Sequence, residues 1–163
     1  MSSKIVNIII AGLGGQGVLT ASDLLAEAAF LSGYDVKKSE IHGMSQRGGS
    51  VTSDVRFGDR VFSPMTPEGE ADYILVLEVN QADIHRRMLR SGGQLLTPAG
   101  LNGAVLPHPK SGNTAMVGLL SSALPIDENC WLDAIRAHFP QRLQAVNDEA
   151  FFIGRQRGEW GNG

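Results

Sequence analysis

Cysteine is nearly absent from this chain: Cys130 is the only one in 163 residues. A single thiol cannot build a disulfide framework, and it cannot supply the set of thiolates that holds an iron–sulfur cluster. Long apolar runs are lacking too. The N-terminal run Ile5-Val6-Asn7-Ile8-Ile9-Ile10-Ala11 is too short to span a membrane and meets glycine where the core of a signal peptide would continue. The expected location is therefore the cytoplasm, with no membrane partner. Positive charge is not in excess: 14 Lys and Arg stand against 17 Asp and Glu, a net charge of −3. That balance argues against a nucleic-acid binder, and no run of Lys or Arg suits an anionic membrane. His42, His85, His108 and His138 fall at no metal-ligand spacing from one another or from Cys130, so no metal site is expected. Ser45 and Ser50 have Arg47 and Thr52 where the second glycine of a nucleophile elbow would stand, and no catalytic residue is assigned.

What is present reads as one α/β domain. Ile5 to Ala11 is a β-branched run without alternation, as expected of a strand buried on both faces. A glycine loop follows, and Val18 to Leu31 then carries a helical apolar stripe ended by Ser32-Gly33. Strand, glycine turn and helix open a Rossmann-like doubly wound sheet, expected to be mostly parallel. A second strand is expected near Val36–Ser39. From Val51 the chain alternates, with Val51, Ser53, Val55 and Phe57 on one face and Thr52, Asp54 and Arg56 on the other. Gly58-Asp59 reads as the turn of a β-hairpin whose return strand is Arg60–Ser63. Tyr73–Leu77 is a further buried strand, Gln81–Leu89 a short helix stopped by Ser91-Gly92-Gly93, and Gln94–Thr97 a weak strand. Pro98 to Gly112 reads as loop. C-terminal helices are expected over Asn113–Leu124, after Asp127 as a cap, and from Pro140 to about Arg155. The domain is thus taken as residues 1–155, with 156–163 a mobile tail that has little to bury.

Two segments carry the functional signal. In the first, Gly12, Gly14 and Gly17 fit G-x-G-x-x-G between a strand and a helix, with Gly15 and Gln16 inside it. Such a loop allows close backbone approach, and the free amides of the helix start favour an anion, so Gly12, Gly14, Gly15, Gln16 and Gly17 are candidates for a phosphate or coenzyme loop. The alternative is a tight turn and nothing more. A nicotinamide enzyme would place an acid at the end of the second strand; Asp35 stands at its front and Glu40 at its end, and neither fits well. The second segment, Ser39-Glu40-Ile41-His42-Gly43-Met44-Ser45-Gln46-Arg47-Gly48-Gly49-Ser50, is rich in glycine and almost without core material. Arg47 offers a planar, permanently charged fork for carboxylate or phosphate.

Gly12-Leu-Gly-Gly-Gln-Gly-Val18, Ser39-Glu40, His42-Gly-Met-Ser-Gln-Arg-Gly-Gly-Ser-Val51 and Val55-Arg-Phe-Gly58 together resemble the gamma-type domain of 2-oxoacid:ferredoxin oxidoreductases. The form with His-Gly-Met before Gln-Arg-Gly-Gly is most similar to the beta subunit of the indolepyruvate branch. The likeness continues through Pro64–Ala71, Ile135–Pro140 and Asn147–Phe151. Between Gly93 and Asn113 the chain is shorter than the family pattern, a departure that bears on the far edge of the sheet and on an interface there.

The resemblance implies oxidative decarboxylation of a 2-oxoacid with coenzyme A and ferredoxin, using thiamine diphosphate and iron–sulfur clusters. Gly58-Asp59 starts like a thiamine-site pair, but no Asn-Asn follows, so both cofactors are expected on a large partner subunit through which ferredoxin acts. This chain is expected to bind no cofactor tightly, to have room for coenzyme A, and to present Ser39, Glu40, His42, Gly43, Met44, Ser45, Gln46, Arg47, Gly48 and Gly49 to the partner or the active site. A homodimer in isolation is compatible with it. Two other readings stand beside this one: an independent dinucleotide-binding oxidoreductase, and a non-enzymatic scaffold.

Overall fold

A computed structural model describes residues 4–42 and 49–161. β1 (Val6–Leu13) is its central strand. Ile8, Ile9, Ile10 and Ala11 are each at most 1% exposed, which explains the absence of alternation in this run. Each buried isoleucine stabilises the fold by roughly 1.5–3 kcal/mol. The five strands are ordered β2-β3-β1-β4-β5. β4 (Ala71–Val76) and β5 (Leu89–Leu96) run parallel to β1. β3 (Ser50–Gly58) is antiparallel to both β1 and β2 (Asp35–His42), so every strand except β3 points the same way. The α/β class, the mostly parallel sheet and the C-terminal helices all agree with the sequence.

Several local readings need correction. The hairpin is formed by β2 and β3, not by β3 and residues 60–63. A strand has two hydrogen-bonding edges, and those of β3 are taken by β1 and β2. Residues 59–70 instead cross the second face of the sheet. Val61 N donates to Asp35 Oδ2 (2.8 Å), Arg56 Nη1 to the Ser63 carbonyl (2.8 Å), and Thr66 N to Asp54 Oδ2 (2.9 Å). The polar face of the alternating strand thus has a task, which is to tie down this crossing. Ser39 to His42 belong to β2 and are not loop. Ser91-Gly92-Gly93 lie inside β5, where Gly92 takes φ 79° beside a register shift against β4; the glycines serve a bulge and not a helix end. The helix expected over 81–89 is broken into two 3-10 turns around a single helical turn, α2 (Ala82–His85).

The helical cover is unequal. α1 (Val18–Leu31), α3 (Gly112–Ser121), α4 (Glu128–His138) and α5 (Gln141–Gly161) form one continuous core with Ile8, Ile10, Val55, Phe57 and Leu75. The other face holds a smaller cluster, Ile9, Ala11, Ile74 and Val76 packed with Ala82, Met88, Leu89 and Leu95. Asp127 occupies the cap position of α4, but its side chain makes no capping bond. α5 extends past Arg155 to Gly161 because it still has a neighbour there. Gly118, Gly154 and Gly158 let α3 and α5 meet backbone to backbone: a methyl at Gly154 would run into the Ala115 carbonyl, and one at Gly158 into Ser122 Oγ. Arg155 Nη1 also donates to Ser121 Oγ (3.0 Å).

Gly154→Ala should therefore force α3 and α5 apart, at a cost of about 1–3 kcal/mol. For a domain of this size that lowers Tm by roughly 2–4 °C per kcal/mol. Gly112→Ala, where a methyl meets nothing nearer than Leu106 Cδ1 at 3.9 Å, should leave Tm unchanged or raise it. Thermal unfolding of the two variants beside the parent checks this.

Candidate functional site

At the carboxyl end of β1 the chain leaves the sheet through Gly14, Gly15, Gln16 and Gly17 and enters α1. The end of a strand exposes backbone groups that need new partners, and each is found locally. Leu13 N donates to Gln16 Oε1 (2.7 Å), and Gln16 N to the Leu13 carbonyl (3.1 Å). Gly14 N donates to the Gly49 carbonyl (2.8 Å), which joins the first glycine loop to the start of β3. Gln16 Nε2 donates to Glu78 Oε2 (2.9 Å), just past β4. The left-handed conformation falls on Gly15 (φ 88°) and Gly17 (φ 85°), not on Gly14. Gly17 is also hemmed in: a methyl there would strike Asn113 Nδ2, which donates to the Gly17 carbonyl (3.3 Å). The backbone N–H groups of Gly15 and Gly17 have no hydrogen-bond partner among the described residues, and no side chain caps α1.

These two glycines open onto a cleft of about 770 Å³. Its lining is divided. Leu77, Leu101, Leu106, Met116 and Phe139 make an apolar part, while Thr20, His108, Lys110 and Asn113 are polar. The far wall is built from the Pro98–Leu101 and Pro109–Ser111 turns and the start of α3. His108 Nδ1 accepts from Lys110 N (3.0 Å) and fixes the second turn. Lys110 is exposed and makes no ion pair among the described residues. The amino ends of α1 and α3 and the Lys110 ammonium thus share one cleft, which favours a ligand with an anionic group and an apolar body. Much of the stretch between Gly93 and Asn113 thus forms this wall.

The predicted residues do not all converge here. Gly15, Gln16 and Gly17 line it; Gly12 and Gly14 are not part of the lining, and Gly14 N is held by the Gly49 carbonyl. His42 and Gly49, which flank the connection between β2 and β3, lie at the same end of the sheet, since His42 registers with Val51 and Val51 with Gly12. Gly43, Met44, Ser45, Gln46, Arg47 and Gly48 lie outside the described residues. Ser39 and Glu40 sit on the outer strand, away from the cleft; Glu40 pairs with Lys38 (3.0 Å), which also binds Asp23 of α1. Burial alone would pull the Lys38 ammonium down, but its acceptors Asp23 and Glu40 outweigh that and hold it above its ordinary value. Asp35 lies at the opposite end of β2, where the Val61 N–H and Lys37 hold its carboxyl below the usual range. With β3 between β2 and β1, neither acid reaches the glycine loop, which removes the ribose-binding carboxylate of a nicotinamide site. On the second face, burial pushes the Asp54 carboxyl up against the Thr66 amide that stabilises its charge, and burial together with Arg87 lowers His85. Glu78, Lys110 and Asn113 were not singled out by the sequence. Glu78 has a signal, its place right after a buried strand, and Asn113 has its place in the first turn of a helix; Lys110 has none, because it stands in an irregular stretch.

No helix among the described residues is long and apolar enough to cross a membrane. Among them, too, no three His, Cys, Asp or Glu residues gather as a metal site.

The family model for pyruvate ferredoxin/flavodoxin oxidoreductase matches residues 7–111. Indolepyruvate oxidoreductase subunit IorB of Pyrococcus horikoshii is 52% identical over 96 residues, which cover 59% of this chain and 48% of that protein. The match spans about half the length of such curated relatives. Among solved structures, the gamma subunit of a keto/oxoacid ferredoxin oxidoreductase from Geobacter sulfurreducens superposes with a TM-score of 0.77 at 23% identity, over 95% of this chain and 99% of that one. A 2-oxoglutarate:ferredoxin oxidoreductase from Magnetococcus marinus, with 2-oxoglutarate, coenzyme A and succinyl-CoA bound, gives 0.82 at 19% identity, over 96% of this chain and 31% of that one. At those identities the likeness is one of fold.

The glycines of the loop should separate by substitution. Gly15→Ala meets open space and should cost only the strain of a positive φ, about 1 kcal/mol. Gly17→Ala carries the same strain and also displaces Asn113, so it should lower Tm further and loosen the start of α3. Amide exchange of α3 residues in the two variants reads the difference.

Proposed function

The chain belongs to the pyruvate ferredoxin/flavodoxin oxidoreductase family, and on that premise we propose that it is the small subunit of a cytoplasmic 2-oxoacid:ferredoxin oxidoreductase, with indolepyruvate or another aryl pyruvate as substrate. The complex turns the 2-oxoacid, coenzyme A and oxidised ferredoxin into acyl-CoA, carbon dioxide and reduced ferredoxin. Thiamine diphosphate supplies the electron sink for decarboxylation, and iron–sulfur clusters carry the electrons away. Neither group fits the residues of this chain: one cysteine cannot hold a cluster, and Gly58-Asp59 ends β3 with no Asn-Asn behind it. Both belong to a large partner subunit, which also delivers electrons to ferredoxin.

The observation that supports a role for this chain beyond filling space is the cleft at the glycine loop. The unpartnered amides of Gly15 and Gly17 and the ammonium of Lys110 suit the phosphates of coenzyme A, and the apolar part suits its pantetheine arm. Gly12 and Gln16 shape the loop, and Gly14 ties it to Gly49. The partner faces Ser39, Glu40, His42 and the segment through Gly49, with Arg47 the anchor of that interface.

The purified chain should accordingly be colourless and inactive toward 2-oxoacids with a dye acceptor, yet bind coenzyme A. Lys110→Ala should weaken that binding about fivefold, and more at low ionic strength, as for one exposed charge contact on the order of 1 kcal/mol. A brown protein, turnover without a second chain, or no coenzyme A binding by calorimetry would contradict this reading. At the interface, Arg47→Ala should leave the subunit folded while weakening the complex about tenfold or more, as for a desolvated arginine contact. Arg60→Ala, at an exposed position on the 59–70 crossing, should not. Equal assembly of both variants would remove Arg47 from the interface.

A further inference from the structure

We propose that Glu78 is a positioning residue for the glycine loop, acting through Gln16, and that the pair determines which loop amides remain free for a ligand. This deepens the coenzyme reading above and rests on it. Leu13 N–H can only donate, and an ionised carboxylate at Glu78 can only accept. A glutamine amide between them has one acceptor and one donor end, so its orientation is forced: Oε1 toward Leu13 N (2.7 Å), Nε2 toward Glu78 Oε2 (2.9 Å). Without the carboxylate the Leu13 N–H is the only group that holds the amide, and the side chain is free to swing away from it.

The surroundings are arranged for this pair. Leu77 N donates to the Ala11 carbonyl (2.8 Å), which stitches the end of β4 to β1 and brings Glu78 beside the loop. Glu78 is half-buried and makes no ion pair among the described residues, so no cation competes for it. A methyl at Gly12 would lie 2.9 Å from Gln16 Oε1 and 2.9 Å from Val18 Cγ2; Gly12 is the space in which the glutamine sits. With Leu13 N satisfied by Gln16 and Gly14 N by Gly49, the loop amides left over are those of Gly15 and Gly17, the two loop glycines that line the cleft. Glu78 itself does not line it.

An exchange of the two side chains tests the assignment. Gln16→Glu sets two carboxylates against each other and should raise the Kd for coenzyme A about tenfold, equivalent to 1.4 kcal/mol. Adding Glu78→Gln restores a donor–acceptor pair with its polarity reversed, and should bring Kd back to within about threefold of the parent, a difference of less than 1 kcal/mol. Glu78→Ala, which leaves Gln16 in place, guards against a Gln16→Glu protein that does not fold; it should weaken binding about fivefold while its far-ultraviolet circular dichroism stays that of the parent, about 1 kcal/mol by the same conversion. The backbone amide proton of Leu13, followed by NMR without ligand, should shift in Glu78→Ala, where Gln16 loses its second anchor, while the amide signals of α5 stay in place, which a general loss of stability would not produce. If the parent itself fails to bind coenzyme A, the coenzyme reading falls and the proposal is judged by the Leu13 signal alone. A Leu13 signal that ignores Glu78→Ala, or a double variant that does not recover binding, overturns it.

Discussion

Strand β1 is enclosed on every side: both faces are covered by apolar side chains, and both edges are paired, with β3 on one and β4 on the other. Its backbone can meet anything else only where it ends. That constraint explains why the polar chemistry of the domain gathers at the Leu13–Gly17 turn. A buried donor without a partner costs about 1–3 kcal/mol, so the amides released there must be answered. Gln16 and the Gly49 carbonyl answer Leu13 and Gly14. The amides of Gly15 and Gly17 are left beside a cleft with a lysine at its mouth.

The same turn connects three parts of the chain that are remote in sequence. β4 reaches it through Glu78, β3 through Gly49, and α3 through Asn113. A ligand in the cleft and a partner against the connection between β2 and β3 would therefore act on neighbouring groups. This suits a subunit whose role is to complete a site and not to perform the chemistry alone. The rest of the fold keeps the turn in place: α3 cannot move without α5, because their backbones touch at Gly118, Gly154 and Gly158.

Much of this was legible in the residues. The unbroken β-branched run marked β1, and α1 begins and ends where its apolar stripe and Ser32-Gly33 placed it. The alternation from Val51 marks a strand, and Val51, Val55 and Phe57 lie on its core side. The partner of that strand was misjudged, since a short polar turn such as Gly58-Asp59 looks the same whether or not the edge beside it is already occupied. Gly92 and Gly93 misled for a related reason: glycine ends a helix and bends a strand through the same freedom at positive φ, and only register distinguishes the two uses. The glycine loop is legible, but nothing local ties to it the neighbours that decide what it does: Glu78 follows a buried strand, Lys110 stands in a short turn and Asn113 in the first turn of a helix. Their meeting is a product of the packing of β4 and α3 and is written nowhere locally.

In the proposed function this domain works as one part of a larger oxidoreductase. Isolation of the tagged chain from its native cell under anaerobic conditions tests it most directly. The account predicts that a larger chain containing thiamine diphosphate and iron–sulfur clusters comes with it, and that coenzyme A-dependent 2-oxoacid oxidation follows the pair and is absent from either chain alone. Recovery of the chain by itself, or of a partner that turns over at full rate without it, would contradict that claim.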